Sequence, residues 1–254
     1  MLQALSWAAL GTGFTFLMTT LGAAVVFFFV EEPRPQFQRT MLGFAAGVMT
    51  AASVWSLLLP AIERAEAGIL PVWLAPAAGL VLGAVGLLRL EEAAGRLMHT
   101  GSKEHGRMGR VVLAVTLHNL PEGMVVGLAA ALALSGEPDA VSGALALSLG
   151  IGLQNIPEGA AVSLPLAHSG RTRLQAFGAG AASGLVEPLG ALAAFALAGW
   201  VQAALPWLMS AAAGCMVCVT AQEMIPEAVE QDEPAGVVSI VMGFALMMAL
   251  DVAL

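Results

Sequence analysis

His118-Asn119-Leu120-Pro121-Glu122-Gly123 and Gln154-Asn155-Ile156-Pro157-Glu158-Gly159 repeat one pattern, an Asn, a Pro, a Glu and a Gly at fixed spacing. Each copy lies inside an apolar stretch, 111–134 and 140–166, that contains no Lys or Arg. A helix crosses a bilayer with about 20 mostly apolar residues, and both stretches have that length. In hydrocarbon each segment must satisfy its own backbone, so both are read as membrane helices with a polar cluster at mid-depth. The whole chain agrees. Of its 254 residues 58% are hydrophobic and 11% charged, and the mean hydropathy is +0.84. A soluble domain carries about 25% charged residues, so this chain has too few to coat itself. Two cysteines in an apolar run exclude a secreted disulfide scaffold. A net charge of −8 without a dense basic patch excludes nucleic-acid binding.

Polar interruptions divide the chain into eight expected spans, about 5–30, 39–60, 71–90, 111–134, 140–166, 174–199, 207–226 and 236–254. The fold class is therefore all-α and integral to the membrane, an eight-helix bundle forming a single domain over 1–254. The segment 91–110 is read as a flexible cytoplasmic loop. With both termini outside the cytoplasm, nine of the ten Lys and Arg residues fall on the cytoplasmic side and only Arg64 on the other, as the positive-inside rule requires. Trp7, Trp55, Trp73, Trp200 and Trp207 then all map to the outer ends of their spans, where indole prefers the interface. The first span lacks a basic leader and is read as a retained helix. The expected location is a multi-pass cell-membrane protein of a bacterial inner membrane.

A third acid, Glu187, lies in Gly184-Leu185-Val186-Glu187-Pro188 on the sixth span. Each mid-membrane charge costs about 2.5–3.5 kcal/mol, so Glu122, Glu158 and Glu187 together cost on the order of 8–10 kcal/mol. No Lys or Arg stands at that depth to offset it. A bound cation would. On a helix, positions i, i+1 and i+4 share one side. His118, Asn119 and Glu122 therefore face a common cleft, as do Gln154, Asn155 and Glu158. Pro121 and Pro157 free the carbonyls of Leu117 and Leu153 at the same level, and Gly123 and Gly159 leave room for close helix approach. Bent helices with freed backbone groups at mid-membrane are how transporters build ion sites. One imidazole with carboxylates and amide oxygens suits a borderline divalent ion: Zn²⁺, or Cd²⁺, Fe²⁺ or Mn²⁺. Two adjacent ion positions fit that inventory. A single buried Asn ordinarily serves as hydrogen-bonding glue between helices, but two copies of the whole motif exceed what packing needs. Cys215 and Cys218 read as inert buried thiols. His99 and His105, in the 91–110 segment, read as solvated histidines with transient metal capture as their alternative role.

The double motif resembles the signature of the ZIP (Zrt/Irt-like) divalent metal transporters. The run Ser56-Leu57-Leu58-Leu59-Pro60-Ala61-Ile62-Glu63 is similar to the prokaryotic GufA-like branch of that family. The resemblance implies one ion held by His118, Glu122, Gln154 and Glu158. A second would be held by Asn119, Asn155 and Glu187 with the shared Glu122 and Glu158. It implies uptake into the cytoplasm by an elevator-like motion, in which the first, fourth, fifth and sixth spans carry the ion past the other four. Met49, Ser56, Glu63, Gln222, Glu223 and Asp251 become pathway residues. It also implies a homodimer, with the metal ion and the bilayer as the other partners, and the metal as cargo with no cofactor. Many members have a histidine where this chain has Gln154, a harder and weaker ligand. Two other classes compete: a proton-coupled transporter of another cation, and a metal-dependent intramembrane hydrolase. The amides beside a histidine exceed what a proton relay needs. The absence of HExxH and of a nucleophile elbow counts against the hydrolase.

Overall fold

The computed structural model describes residues 2–28, 34–97, 103–133, 140–200, 204–230 and 234–253, and these are helices joined by short connections. Helix α1 (Leu2–Ala24) closes in a 3-10 turn, Val25–Phe27. Helix α2 (Pro35–Ala52) continues through a π-helical turn, Ser53–Leu58, into α3 (Leu59–Ala65). Next come α4 (Leu74–Leu97), α5 (Lys103–Leu132) and α6 (Ala140–His168). Helices α7 (Arg173–Ser183) and α8 (Val186–Trp200) follow. Helix α9 (Leu205–Val219) passes through a second π-helical turn, Thr220–Met224, into α10 (Ile225–Ala228), and α11 (Pro234–Ala253) ends the series. Among the described residues, seven helical stretches are long and apolar enough to cross a membrane: Ala9–Phe27, Pro35–Ala65, Leu74–Ala93, Ala140–His168, Arg173–Ala194, Leu205–Ala228 and Pro234–Ala253. The expected fourth span contributes the shorter apolar stretch Asn119–Leu132 of α5.

Three local features differ from the sequence expectation. The segment 91–110 is not a 20-residue loop. Helix α4 runs on to Leu97 and α5 begins at Lys103. Glu92 lies between Arg89, at 3.3 Å, and Arg96 on the same helix face, and such i,i+3 and i,i+4 pairs extend exposed helices. The sixth span is two helices rather than one. It breaks at Gly184-Leu185, where the Glu187 amide reaches back only to the Gly184 carbonyl, at 3.1 Å. Pro188 has no N–H for that carbonyl, and its ring presses on it. The π-helical turns also went unread. Each directly precedes a proline pair, Leu59-Pro60 and Ile225-Pro226, and widening the turn accommodates the ring while the chain stays helical.

Packing pairs α1 with α6, α5 with α8, α2 with α11 and α4 with α9. The first four, with α7, form one group of helices; the others, with α3 and α10, form a second. The groups meet along α2–α6, α5–α9 and α6–α11. Their seam is apolar and tightly filled. Val125 and Leu128 of α5 and Leu147 and Ile151 of α6 lie in one buried cluster with Met49 of α2, Met209 and Met216 of α9 and Met247 of α11. Lipid tails are as apolar as these side chains, so close fit rather than water exclusion holds such helices together.

Candidate metal centre

The polar cluster sits inside the first group, where α1 and α5 to α8 converge. Helix α5 supplies Asn119 and Glu122; α6 supplies Gln154, Asn155 and Glu158; Glu187 stands in the first turn of α8. The motif glycines make the convergence possible. A Cβ on Gly123 would strike the Glu187 backbone carbonyl, and one on Gly159 would strike the Thr19 carbonyl on α1. Asn119, Glu122, Gln154, Asn155 and Glu187 are fully buried, and Glu158 is 5% exposed. Helices α5 and α6 stay helical through Pro121 and Pro157.

Hydrogen bonds orient nearly every member. The Gln154 amide donates to Glu122 Oε1 through a short bond, and lies 3.5 Å from Asn155 Oδ1. The Asn155 amide points its hydrogens at Glu187 Oε1 (3.0 Å), Thr19 Oγ1 (3.0 Å) and the Thr15 carbonyl (3.3 Å). Thr19 Oγ1 donates to Glu187 Oε1 at 3.0 Å. Asn119 donates to the Ser183 carbonyl at 3.0 Å, at the end of α7. The donors are thus spent on the scaffold. Asn119 Oδ1, Glu122 Oε2, Gln154 Oε1 and Glu187 Oε2 are buried oxygens without a hydrogen-bond partner among the described residues.

Leaving a buried acceptor unpaired costs about 1–3 kcal/mol, and more when it is charged. Glu122 lies within electrostatic reach of both Glu158 and Glu187, and the three would repel when ionised. Orphaned oxygens together with repelling acids describe a place where positive charge would be stabilised. Among the described residues no three His, Cys, Asp or Glu side chains are grouped so that they could hold a metal ion; the amides Asn119, Gln154 and Asn155 stand beside the carboxylates in the cluster. His118 is on α5 one residue before Asn119, but its side chain lies outside the described residues, as does that of His105; His99 is outside them altogether.

The expected pathway residues divide. Ser56, Glu63 and Asp251 line one cavity of about 600 Å³ between the two groups, with Trp55, Val125, Leu147 and Met209. Ser56 Oγ donates to Asp251 Oδ1 at 2.8 Å. Val125, in the wall of that cavity, stands one turn beyond Glu122 on α5. Met49 is not in its wall; it is buried in the seam beside Thr220. Gln222 lines a separate depression between α4 and α9 with Cys218, and Glu223 lies near Glu227 towards the far end of that rod. The sequence reading missed Thr15 and Thr19. Their signal was present, since Thr12, Thr15 and Thr19 recur at helical spacing on α1 and all three are buried.

A family model described as ZIP Zinc transporter matches residues 107–251. The chain is 39% identical to zinc transporter ZIPB of Bordetella bronchiseptica, over 98% of this chain and 81% of that protein. It is 36% identical to zinc transporter GufA of Myxococcus xanthus, over 93% and 94% of the two chains. With zinc transporter ZIP11 of Homo sapiens the identity is 34%, over 97% of each. The duplicated motif, the helical membrane fold and these relatives lead to one assignment: the chain belongs to the ZIP zinc transporter family, whose members are multi-pass membrane transporters and not enzymes.

Proposed function

We infer that the chain carries divalent transition-metal ions, zinc foremost and cadmium, iron or manganese beside it, down their gradient into the cytoplasm. The observation that carries the reading is the set of buried oxygens on Asn119, Glu122, Gln154 and Glu187 left without donors. A desolvated metal ion replaces its lost water ligands with such oxygens, and its charge relieves the repulsion among Glu122, Glu158 and Glu187. His118, Glu122, Gln154 and Glu158 would hold one ion. Asn119, Asn155 and Glu187 would hold a second, with Glu122 and Glu158 bridging. The names of the relatives support zinc as the cargo.

The reading includes eight spans in one domain with both termini outside the cytoplasm, in a bacterial inner membrane, and a second copy of the chain as partner. The cavity holding Ser56, Glu63 and Asp251 would be the outer mouth. The helices that bear the cluster are α1 and α5 to α8, and their apolar seam against the others supports a sliding, elevator-like movement. Radiozinc uptake into proteoliposomes tests the reading. Wild-type protein should show saturable uptake, and Glu158→Ala should lose it at unchanged expression and folding, with unlabelled Cd²⁺, Fe²⁺ and Mn²⁺ ranking selectivity. Full uptake by a folded Glu158→Ala protein would remove the cluster from the pathway.

A further inference from the structure

We propose that Thr19, on a helix that carries none of the metal-binding motif, is a specificity-determining residue, because it holds Glu187 to a single free oxygen. The inference rests on the reading of the cluster as a metal-transport site. Thr19 is fully buried. Its hydroxyl hydrogen has two acceptors in reach, Glu187 Oε1 at 3.0 Å and the Thr15 carbonyl at 3.2 Å, and the bond to a carboxylate is the stronger. The Asn155 amide reaches both Thr19 Oγ1 and the same Glu187 oxygen, each at 3.0 Å. Oε1 is therefore bonded from two sides, with the Thr15 hydroxyl also close to the carboxyl group, while Oε2 has no donor among the described residues. The hydroxyl cannot drift away. The Gly159 backbone packs directly on the Thr19 carbonyl, and a Cβ on Gly184 would lie 3.1 Å from Thr19 Cβ and 3.2 Å from Glu187 Oε1. Glu187 meets an ion as a one-oxygen ligand. That suits Zn²⁺, which prefers few and short bonds. Larger ions favour more oxygens and two-oxygen carboxylates. Thr19→Val keeps the side-chain shape, removes one of the two donors on Oε1 and lets the carboxylate turn both oxygens to the ion.

The experiment is displacement of radiozinc by Cd²⁺ and by Mn²⁺ from purified protein in nanodiscs, alongside uptake. Thr19→Val should raise the affinity of Cd²⁺ and Mn²⁺ relative to Zn²⁺ by about tenfold, the worth of one hydrogen bond to a carboxylate. Thr19→Ser should keep the wild-type ratio. Thr19→Ala, which also lacks the hydroxyl, should move the ratio the same way and serves if the valine protein does not fold. A merely structural Thr19 would weaken all ions in parallel. An unchanged ratio in the valine or alanine protein overturns the proposal, and so does a serine protein that fails to retain it. Wild-type protein that binds no zinc overturns the transport reading and this one together, whereas zinc binding with an unmoved ratio overturns this one alone.

Discussion

Gln154 places an amide where imidazole is common in the family. Its Nε2 is committed to Glu122 and its Oε1 is an unpaired acceptor among the described residues, so it would offer an ion a neutral, hard oxygen. Gln154→His should improve zinc against Mn²⁺ in uptake competition by about tenfold, a change of one ligand bond in quality rather than number. An unaltered competition curve would show that position 154 does not contact the ion. At this scale the carboxylates and amides were legible in the sequence because each is expensive in a membrane, and cost marks purpose. Thr15 and Thr19 were not, because a membrane helix can satisfy a hydroxyl on its own backbone. Thr20 does so with Phe16, and in the sequence only the helical spacing of Thr12, Thr15 and Thr19 sets Thr19 apart from it. Met49, a pathway residue by resemblance, is fully buried in the seam between the two groups.

Helices show how one residue type acts differently by context. Five prolines each withdraw an N–H from the carbonyl four residues earlier, and the outcomes differ. With Leu117 and Leu153 there, α5 and α6 stay helical. With Ser56 and Gln222 there, the chain widens into a π-helical turn. With Gly184 there, the helix breaks. In the sequence only Pro121 and Pro157 were read as disturbing their helices, and there the helices run on. Glycine contacts can be tested at this scale. Gly123→Ala drives a methyl into the α8 backbone at Glu187, whereas Gly143 has open space around it. Overpacking of this kind costs about 1–3 kcal/mol. The Gly123→Ala protein should unfold several degrees lower and lose uptake, while Gly143→Ala should match wild type in both melting and uptake. Equal melting of the two would mean that α5 and α8 separate more readily than their packing implies.

For the molecule as a whole, two groups of helices share a seam that is greasy along most of its length and open at one end, where the cavity lies. If transport slides one group past the other, fixing the seam stops it. Leu57 and Leu147 face the same cavity from opposite groups. With both changed to cysteine, in a background lacking Cys215 and Cys218, a short cleavable thiol cross-linker should abolish uptake and a reductant should restore it. Uptake that persists through complete cross-linking would exclude relative motion of the groups. The all-helical membrane fold was legible from composition, whereas the partition into groups was not, because helices buried in lipid or in protein read alike. The seam has one more consequence. Its buried methionines among the described residues, Met49, Met209, Met216, Met224 and Met247, all belong to the group without the polar cluster. Thioethers bend to fit whatever passes, yet oxygen turns each into a polar sulfoxide in place. Met209 borders the cavity. A sulfoxide at Met209 would set a polar group into the apolar seam, and any sliding of the two groups would have to carry it.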